Sequence, residues 1–165
     1  MKFKNISIII IFFLLINITI FKIYWVPSDS MENTIKSGDF TYVYQLPYLL
    51  NYGEPKYDDI LVFAYPLEEK YNYVKRLIGK PEDIILISEN KLYRNGTEVV
   101  EEYINNSYVM EDYGPVTVPE YSYFFMGDNR ERSIDSREWG FVDYSLIKGK
   151  VISVIWPLER AGEVR

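Results

Sequence analysis

Residues 59–88 read DILVFAYPLEEKYNYVKRLIGKPEDIILIS and contain three short apolar runs separated by turn residues. The runs are rich in β-branched and aromatic residues, which favour strands, and Pro66 and Pro81 interrupt them. The same pattern continues on both sides of this stretch and predicts the strands Phe40–Gln45, Asp59–Tyr65, Tyr71–Ile78, Asp83–Ser88, Lys91–Arg94, Glu98–Val100, Ser122–Met126 and Val151–Trp156. Asn95-Gly96 is a strong hairpin turn signal. We therefore expect a mainly β domain, in the form of a coiled antiparallel sheet or partial barrel.

The composition suits one folded domain. The chain has 165 residues, of which 48% are hydrophobic and 25% are charged, and it contains 16 Tyr and 9 Phe. The net charge is −6 and no long basic run is present. Binding to nucleic acid requires clustered Lys and Arg against the phosphates, so we expect no nucleic-acid partner.

The sequence contains no cysteine and no histidine. Disulfides, thiol nucleophiles, Ser-His-Asp triads and HExxH zinc sites are therefore excluded. If the protein is a hydrolase, its general base must be Lys, Asp, Glu or an α-amino group.

The N-terminal segment is almost continuously apolar from Ile6 to Ile23. This length lies near the lower end of the range that crosses the hydrocarbon core of a bilayer. Lys2 and Lys4 precede the run, and Tyr24 and Trp25 follow it at a position typical of the membrane interface. We predict a cytoplasmic N-terminus over residues 1–5, a transmembrane anchor over 6–25 and an extracytoplasmic β-rich domain over 26–165.

Two other interpretations of the apolar run are weaker. A cleavable signal peptide needs small residues before its cleavage site, and the only nearby pair is Ser28 and Ser30, inside a motif described below. A buried core helix has little use in a small β domain, because the run is apolar on every face.

Three segments carry polar residues that strand formation does not require: 27–34 (PSDSMENT), 73–79 (YVKRLIG) and 127–140 (GDNRERSIDSREWG). Taken singly, each has a structural explanation. The serines can be helix caps or turn formers, Lys75 can point to solvent, and the third segment can be a polar turn between two strands.

Together the three segments resemble the type I signal peptidases of bacteria. That family has a serine motif S-x-S-M-x-P-T just outside its anchor, then K-R-x-x-G-x-P-x-D and G-D-N-R-x-x-S-x-D-S-R-x-W-G. The second motif matches 75–83 and the third matches 127–140 at every fixed position. The first differs at Asn33, where the family usually has proline, which would fix the turn. The chain is also short for the family, so the additional β domain of larger members is expected to be absent or reduced to the Asn95-Gly96 region.

The resemblance implies a Ser/Lys catalytic dyad, with Ser30 as nucleophile and Lys75 as general base. A lysine near its ordinary pKa of about 10.4 is charged at neutral pH, so Lys75 must be desolvated to act as a base. Strand alternation is expected to send Arg76 to the opposite face. The family pattern further assigns an oxyanion hole to Ser28 and Ser30, a supporting ion-pair network to Asp128, Asp135 and Arg137, orientation of the lysine amine to Ser133, and substrate binding to Val26, Pro27, Tyr73 and Val74.

The implied substrates are the signal peptides of secreted preproteins, bound as an added β strand with small residues at −1 and −3. The expected location is the plasma membrane, with membrane lipid as a further partner. The resemblance implies no cofactor and no metal.

Two alternatives stay open on the sequence alone. One is the same chemistry on a narrow, dedicated set of substrates, and the other is an inactive membrane-tethered binding module with this fold. A self-cleaving repressor also uses Ser/Lys chemistry, but it would need a DNA-binding domain where this chain has its apolar segment.

Overall fold

The computed structural model describes residues 20–104 and 108–164 of the protein. In these ranges the chain forms twelve strands and a few short helical turns. The strands are β1 (Phe21–Trp25), β2 (Phe40–Tyr44), β3 (Ile60–Ala64), β4 (Asn72–Gly79), β5 (Ile84–Ser88), β6 (Lys91–Arg94), β7 (Thr97–Glu98), β8 (Tyr113–Thr117), β9 (Ser122–Met126), β10 (Val142–Asp143), β11 (Ile147–Trp156) and β12 (Gly162–Glu163). The helices are α1 (Leu46–Leu49) and α2 (Ser136–Trp139), with 3₁₀ turns at Tyr144–Leu146 and Leu158–Arg160.

The strands form two antiparallel sheets. The larger has eight strands in the order β1-β2-β11-β3-β4-β9-β10, with β12 added beside β11. The smaller has four strands in the order β7-β6-β5-β8. The prediction of a mainly β, curled antiparallel sheet is confirmed.

The centre of the large sheet is the antiparallel pair β3 and β4, which come from the apolar runs at 59–65 and 71–78. All five residues of β3 are buried, as expected for a strand covered on both faces. Its register with β4 places Leu61 opposite Lys75 and Ile60 opposite Arg76. Two adjacent cationic side chains, of Lys75 and Arg76, are thus buried in the interior of the domain.

The end of the predicted anchor is corrected by the structure. Phe21–Trp25 form strand β1 instead of the last turns of a transmembrane helix, and they pair with β2 from Phe21 opposite Tyr44 to Trp25 opposite Phe40. The Phe21 and Tyr42 rings stack with centroids 4.7 Å apart. Residues 6–19 of the predicted anchor lie outside the described residues. Among residues 20–104 and 108–164, no helix has the length and apolar character needed to cross a bilayer.

The small sheet contains the predicted hairpin. Asn95 and Gly96 both have positive φ, 55° and 77°, as a two-residue turn between β6 and β7 requires. The returning strand is shorter than predicted and covers only Thr97–Glu98. Strand β8, at Tyr113–Thr117, was not predicted, because Gly114 and Pro115 in its sequence are typical of turns.

One apolar cluster of the core lies under the connection between β1 and β2. Met31 and Ile35, from this connection, are fully buried and pack with Val26, Val43 and Val62 in a single cluster. The segment that carries Ser30 is therefore held in place by the packing of its own apolar side chains in the core.

Candidate active site

The first component of the site is the serine turn, which we define as residues 29–35. Its backbone is held by bonds from the Glu32 N–H to the Asp29 carbonyl (3.0 Å) and from the Ile35 N–H to the Met31 carbonyl (2.7 Å). Ser30 precedes Met31 and is 5% exposed. A serine that lies between a solvated turn and a buried methionine has a restricted position.

Lys75 on β4 is the second component. Its side chain is 4% exposed, and its Nζ is hydrogen-bonded to Ser30 Oγ across a sequence separation of 45 residues. The Tyr73 ring lies on the same side of the strand, 5.6 Å from Nζ. The structure therefore brings together the two residues of the predicted dyad.

Burial lowers the pKa of Lys75 to about 8. The negative charges of Asp135 and Asp128 act in the opposite direction and raise it, while the positive charge of Arg137 lowers it. Removal of the ammonium from water is thus the dominant effect, as the sequence analysis required. A lysine with this pKa is neutral in an appreciable fraction of molecules near pH 7, so it can accept a proton.

Arg76 points to the other face of β4, as predicted, and it is buried there. Its Nε and Nη2 donate to the two carboxylate oxygens of Asp128 at 2.8 and 2.7 Å, and its Nη1 donates to the Asp58 carbonyl at 2.9 Å. The guanidinium also lies 3.8 Å from the centre of the Tyr103 ring. In the sequence, a lysine–arginine pair inside an apolar strand is the pattern that could have indicated a buried, ion-paired arginine.

The predicted single network of Asp128, Asp135 and Arg137 is corrected to two ion pairs. Asp128 binds Arg76, whereas Asp135 accepts two bonds from Arg137, from Nε and Nη2, both at 2.9 Å. Burial alone would raise the pKa of Asp135, but the bonds and charge of Arg137 and the Gly127 N–H bring it below its ordinary range. Asp135 therefore stays ionised and close to the Lys75 amine.

The other two serines have different surroundings. Ser28 is exposed, and its Oγ lies 3.4 Å from Ser30 Oγ. The Ser133 hydroxyl is buried and lies near the Asp135 carboxylate, whose pKa it helps to lower. The role of Ser133 in orienting the Lys75 amine stays a prediction.

An open cleft of about 450 Å³ leads to the dyad. The four residues predicted to bind substrate, Val26, Pro27, Tyr73 and Val74, all line it, together with Ser28, Ser30 and Lys75. Lys70 and Arg132 also line the cleft and were not predicted from the sequence.

The serine turn is also bonded to the loop at 127–130, and these bonds were not predicted from the sequence. The Asn129 N–H donates to the Ser30 carbonyl at 3.0 Å, and the Asn129 side chain donates to the Asp29 carbonyl at 3.0 Å. From the turn, the Asn33 amide donates to the Asp128 carbonyl at 3.1 Å and Thr34 Oγ1 donates to Asp128 Oδ2 at 2.5 Å. The sequence motifs indicated that both segments belong to the site, but they did not indicate which atoms form hydrogen bonds between them.

Comparison with known proteins gives a consistent result. The profile of the family described as signal peptidase, peptidase S26 matches residues 2–156. Signal peptidase I of Bacillus licheniformis is 37% identical, over 93% of this chain and 87% of the relative. Signal peptidase I T of Bacillus subtilis strain 168 is 35% identical, over 98% of this chain and 88% of the relative. The crystal structure of a signal peptidase I from Enterococcus faecalis V583 superposes with a TM-score of 0.53 at 32% identity, over 59% of this chain and 97% of that one.

These similarities, on a curled antiparallel sheet, define a hydrolase of the serine peptidase class. The resemblance inferred from the sequence motifs is confirmed. The chain belongs to the signal peptidase family, peptidase S26.

Proposed function

We propose that this protein removes the N-terminal signal peptides of preproteins, with Ser30 as nucleophile and Lys75 as general base, at the outer surface of the membrane that anchors it. The observation that carries the proposal is the buried hydrogen bond between Lys75 Nζ and Ser30 Oγ at the base of an open cleft. Membership of the signal peptidase family supplies the substrate class.

The chemistry follows from the protonation state of Lys75. The neutral amine accepts the Ser30 hydroxyl proton while Oγ bonds to the scissile carbonyl carbon. The ammonium then donates this proton to the leaving nitrogen as the C–N bond breaks, which leaves an acyl-enzyme. A water molecule transfers its proton to Lys75 and attacks the ester, and the ammonium returns a proton to Ser30 Oγ as the serine leaves.

The tetrahedral intermediates need donors for their oxyanion. We assign the Ser30 backbone N–H and the Ser28 hydroxyl to this role. The contact of 3.4 Å between the two serine hydroxyls supports the assignment, because it puts Ser28 beside the atom that attacks.

The substrate is expected to bind in the cleft as an extended strand beside Tyr73 and Val74. Small side chains at −1 and −3 suit the apolar wall formed by Val26 and Val74. Inorganic or organic cofactors take no part in this scheme, because the lysine supplies the base and backbone and hydroxyl groups supply the oxyanion donors.

The proposed membrane attachment rests on two features. The apolar run that begins at Ile6 follows Lys2 and Lys4, which favours a cytoplasmic N-terminus. In addition, Trp25, Phe40 and Trp156 are opposite one another in neighbouring strands and are 59%, 39% and 54% exposed. Exposed aromatic side chains are typical of surfaces at the membrane interface.

Turnover of a model preprotein by the purified full-length chain in lipid vesicles tests the proposal. We expect Ser30→Ala to abolish cleavage while the protein stays folded and membrane-bound. Ser88→Ala, on β5 of the small sheet, is the matched control and should cleave at the wild-type rate. Full activity of Ser30→Ala would refute the dyad, and no cleavage by the wild-type protein would favour an inactive binding module.

A further inference from the structure

The peptide unit between Asp128 and Asn129 lies against the serine turn and is bonded to it at both ends. Its carbonyl oxygen, on Asp128, accepts a hydrogen bond from the Asn33 side-chain amide at 3.1 Å. Its N–H, on Asn129, donates to the Ser30 carbonyl at 3.0 Å. Asn33 and Ser30 of the serine turn are therefore bonded to opposite sides of the same peptide group.

The geometry of the peptide bond makes this connection stiff. A trans peptide is planar and directs its C=O and N–H to opposite sides. A rotation of the unit that lengthens the bond at Asn33 therefore also disturbs the bond at Ser30. Asn33 thus acts on the Ser30 carbonyl without touching Ser30.

The loop at 127–130 is the fixed partner in this arrangement. The Asp128 carboxylate is fully buried and is held by two bonds from Arg76 and one from Thr34. By contrast, Asn33 is exposed and lies in a turn. The hydrogen bond consequently positions the turn relative to the loop, and packing of the Asn33 side chain contributes little.

The residue type at position 33 matters because the Asp128 carbonyl needs a donor. Asparagine has two N–H groups in its side chain, whereas proline, the usual residue of the resembling family, has none. An aspartate of the same shape would present a negatively charged oxygen to the carbonyl and repel it.

We propose that Asn33 is a positioning residue for the nucleophile, which aligns Ser30 with Lys75 through the peptide unit 128–129. This inference rests on the proposed function, since it assigns to Asn33 a role in the reaction of Ser30. Asn33 itself touches neither the substrate nor the reacting atoms.

The test compares Asn33→Ala and Asn33→Asp with the wild-type chain in the preprotein assay. Loss of one neutral hydrogen bond predicts a fall in kcat of about 3- to 10-fold for Asn33→Ala. Asn33→Asp should fall further, by about 10- to 100-fold, because attraction is replaced by repulsion. KM should stay within about 2-fold in both, because the substrate is not contacted.

Glu32→Gln is the matched control, because it changes an exposed residue of the same turn and should leave kcat unchanged. The order of activity distinguishes positioning from packing. A hydrogen-bond donor role predicts Asn above Ala above Asp, whereas a packing role predicts that Asp, with the same shape, equals Asn.

Wild-type kcat in both variants, equality of Asp and Asn, or a change confined to KM would each overturn the proposal. Ser30→Ala in the same assay separates this outcome from failure of the proposed function. If Ser30→Ala is inactive and the Asn33 variants are normal, only the positioning role is wrong. If Ser30→Ala is active, the dyad itself is wrong.

Discussion

If Lys75 is the general base, as proposed, its pKa sets the pH dependence of the reaction. Its pKa is lowered to about 8 by burial, and the proposed reaction requires its neutral form. We therefore predict that kcat/KM rises about tenfold per pH unit below this value and levels off above it. A pH–rate profile of preprotein cleavage measures the midpoint.

Lys75→Arg and a control variant test whether Lys75 is the group that titrates at this midpoint. Lys75→Arg should be inactive at every pH, because a guanidinium does not lose its proton in this range. Lys36→Arg, at an exposed position directly after the serine turn, is the control and should keep the wild-type pH profile. An acidic midpoint would assign the base to an Asp or Glu.

The same lysine lowers the stability of the fold at neutral pH. Lys75 has a pKa of about 8 in the folded protein and near 10.5 when solvated, so between these values the unfolded state binds more protons and stability rises with pH. The destabilisation is fully present below the folded pKa and disappears above the unfolded one. Lys75→Met should therefore raise the free energy of unfolding by about 3 kcal/mol at pH 7.

Urea unfolding at pH 7 and pH 11 tests this prediction. The advantage of Lys75→Met should vanish at the higher pH, where the wild-type lysine is neutral in both states. An equal gain at both pH values would show that methionine simply packs better than lysine.

Gly127 marks a close approach of the loop to the nucleophile. A Cβ at this position would lie 2.5 Å from the Ser30 carbonyl oxygen and 2.2 Å from Ser133 Oγ. Gly127→Ala should therefore displace the serine turn and reduce kcat by more than about tenfold. Gly162→Ala is the control, because no atom lies within 4 Å of its added methyl group. Unchanged kcat in Gly127→Ala would contradict the tight contact.

At the scale of elements, the segment that follows β7 is bonded to the loop at 127–130. Glu101 follows β7 and accepts a bond from Arg130 Nη1 at 2.8 Å and another from Nη2. Arg130 Nε in turn donates to the Gly127 carbonyl at 3.0 Å. The side chains of this ion pair are only 2% and 4% exposed.

Glu101→Ala should leave the Arg130 charge buried without its partner. Removal of one member of a buried pair costs about 3–5 kcal/mol, and urea unfolding measures the loss. The exposed pair Lys91–Glu98 on the same sheet is the control, and Glu98→Ala should not change the unfolding free energy measurably. Similar effects in the two variants would show that the Arg130 pair is solvated.

Strand boundaries show where elements depend on their neighbours. The runs that form β3 and β4 are predictable because their apolar residues are continuous and rich in strand formers. β8 was missed because Gly114 lies in it, yet a Cβ there would come within 2.5 Å of the Ile85 carbonyl oxygen. In this strand glycine permits close pairing with β5 instead of ending the element.

At the scale of the whole molecule, the proposed orientation in the membrane is testable. Lys2 and Lys4 before the apolar run predict that the domain after Trp25 lies outside the cytoplasm. Protease added to intact spheroplasts should digest this domain and spare a cytoplasmic marker protein. Protection of the domain until the cells are lysed would reverse the orientation.

The fold class and the two central residues of the site follow from local features of the sequence. A strand pattern is local, because alternation and strand propensity are carried by neighbouring residues. Ser30 and Lys75 are recognisable because each lies in a motif that resembles one of the signal peptidase family. The absence of histidine limits the general base to Lys, Asp, Glu or an α-amino group through composition alone.

Which polar groups meet is instead a result of tertiary packing. Arg76 binds Asp128 across 52 residues, and Asn33 binds the Asp128 carbonyl across 95 residues. Likewise, pairing with β2 makes a strand of Phe21–Trp25, whose composition alone favoured the end of an apolar helix. Such contacts form only when the folded sheet brings distant segments together, so they produce no periodic pattern in the sequence. For Phe21–Trp25, the free energy of pairing with β2 outweighs the local preference for helix.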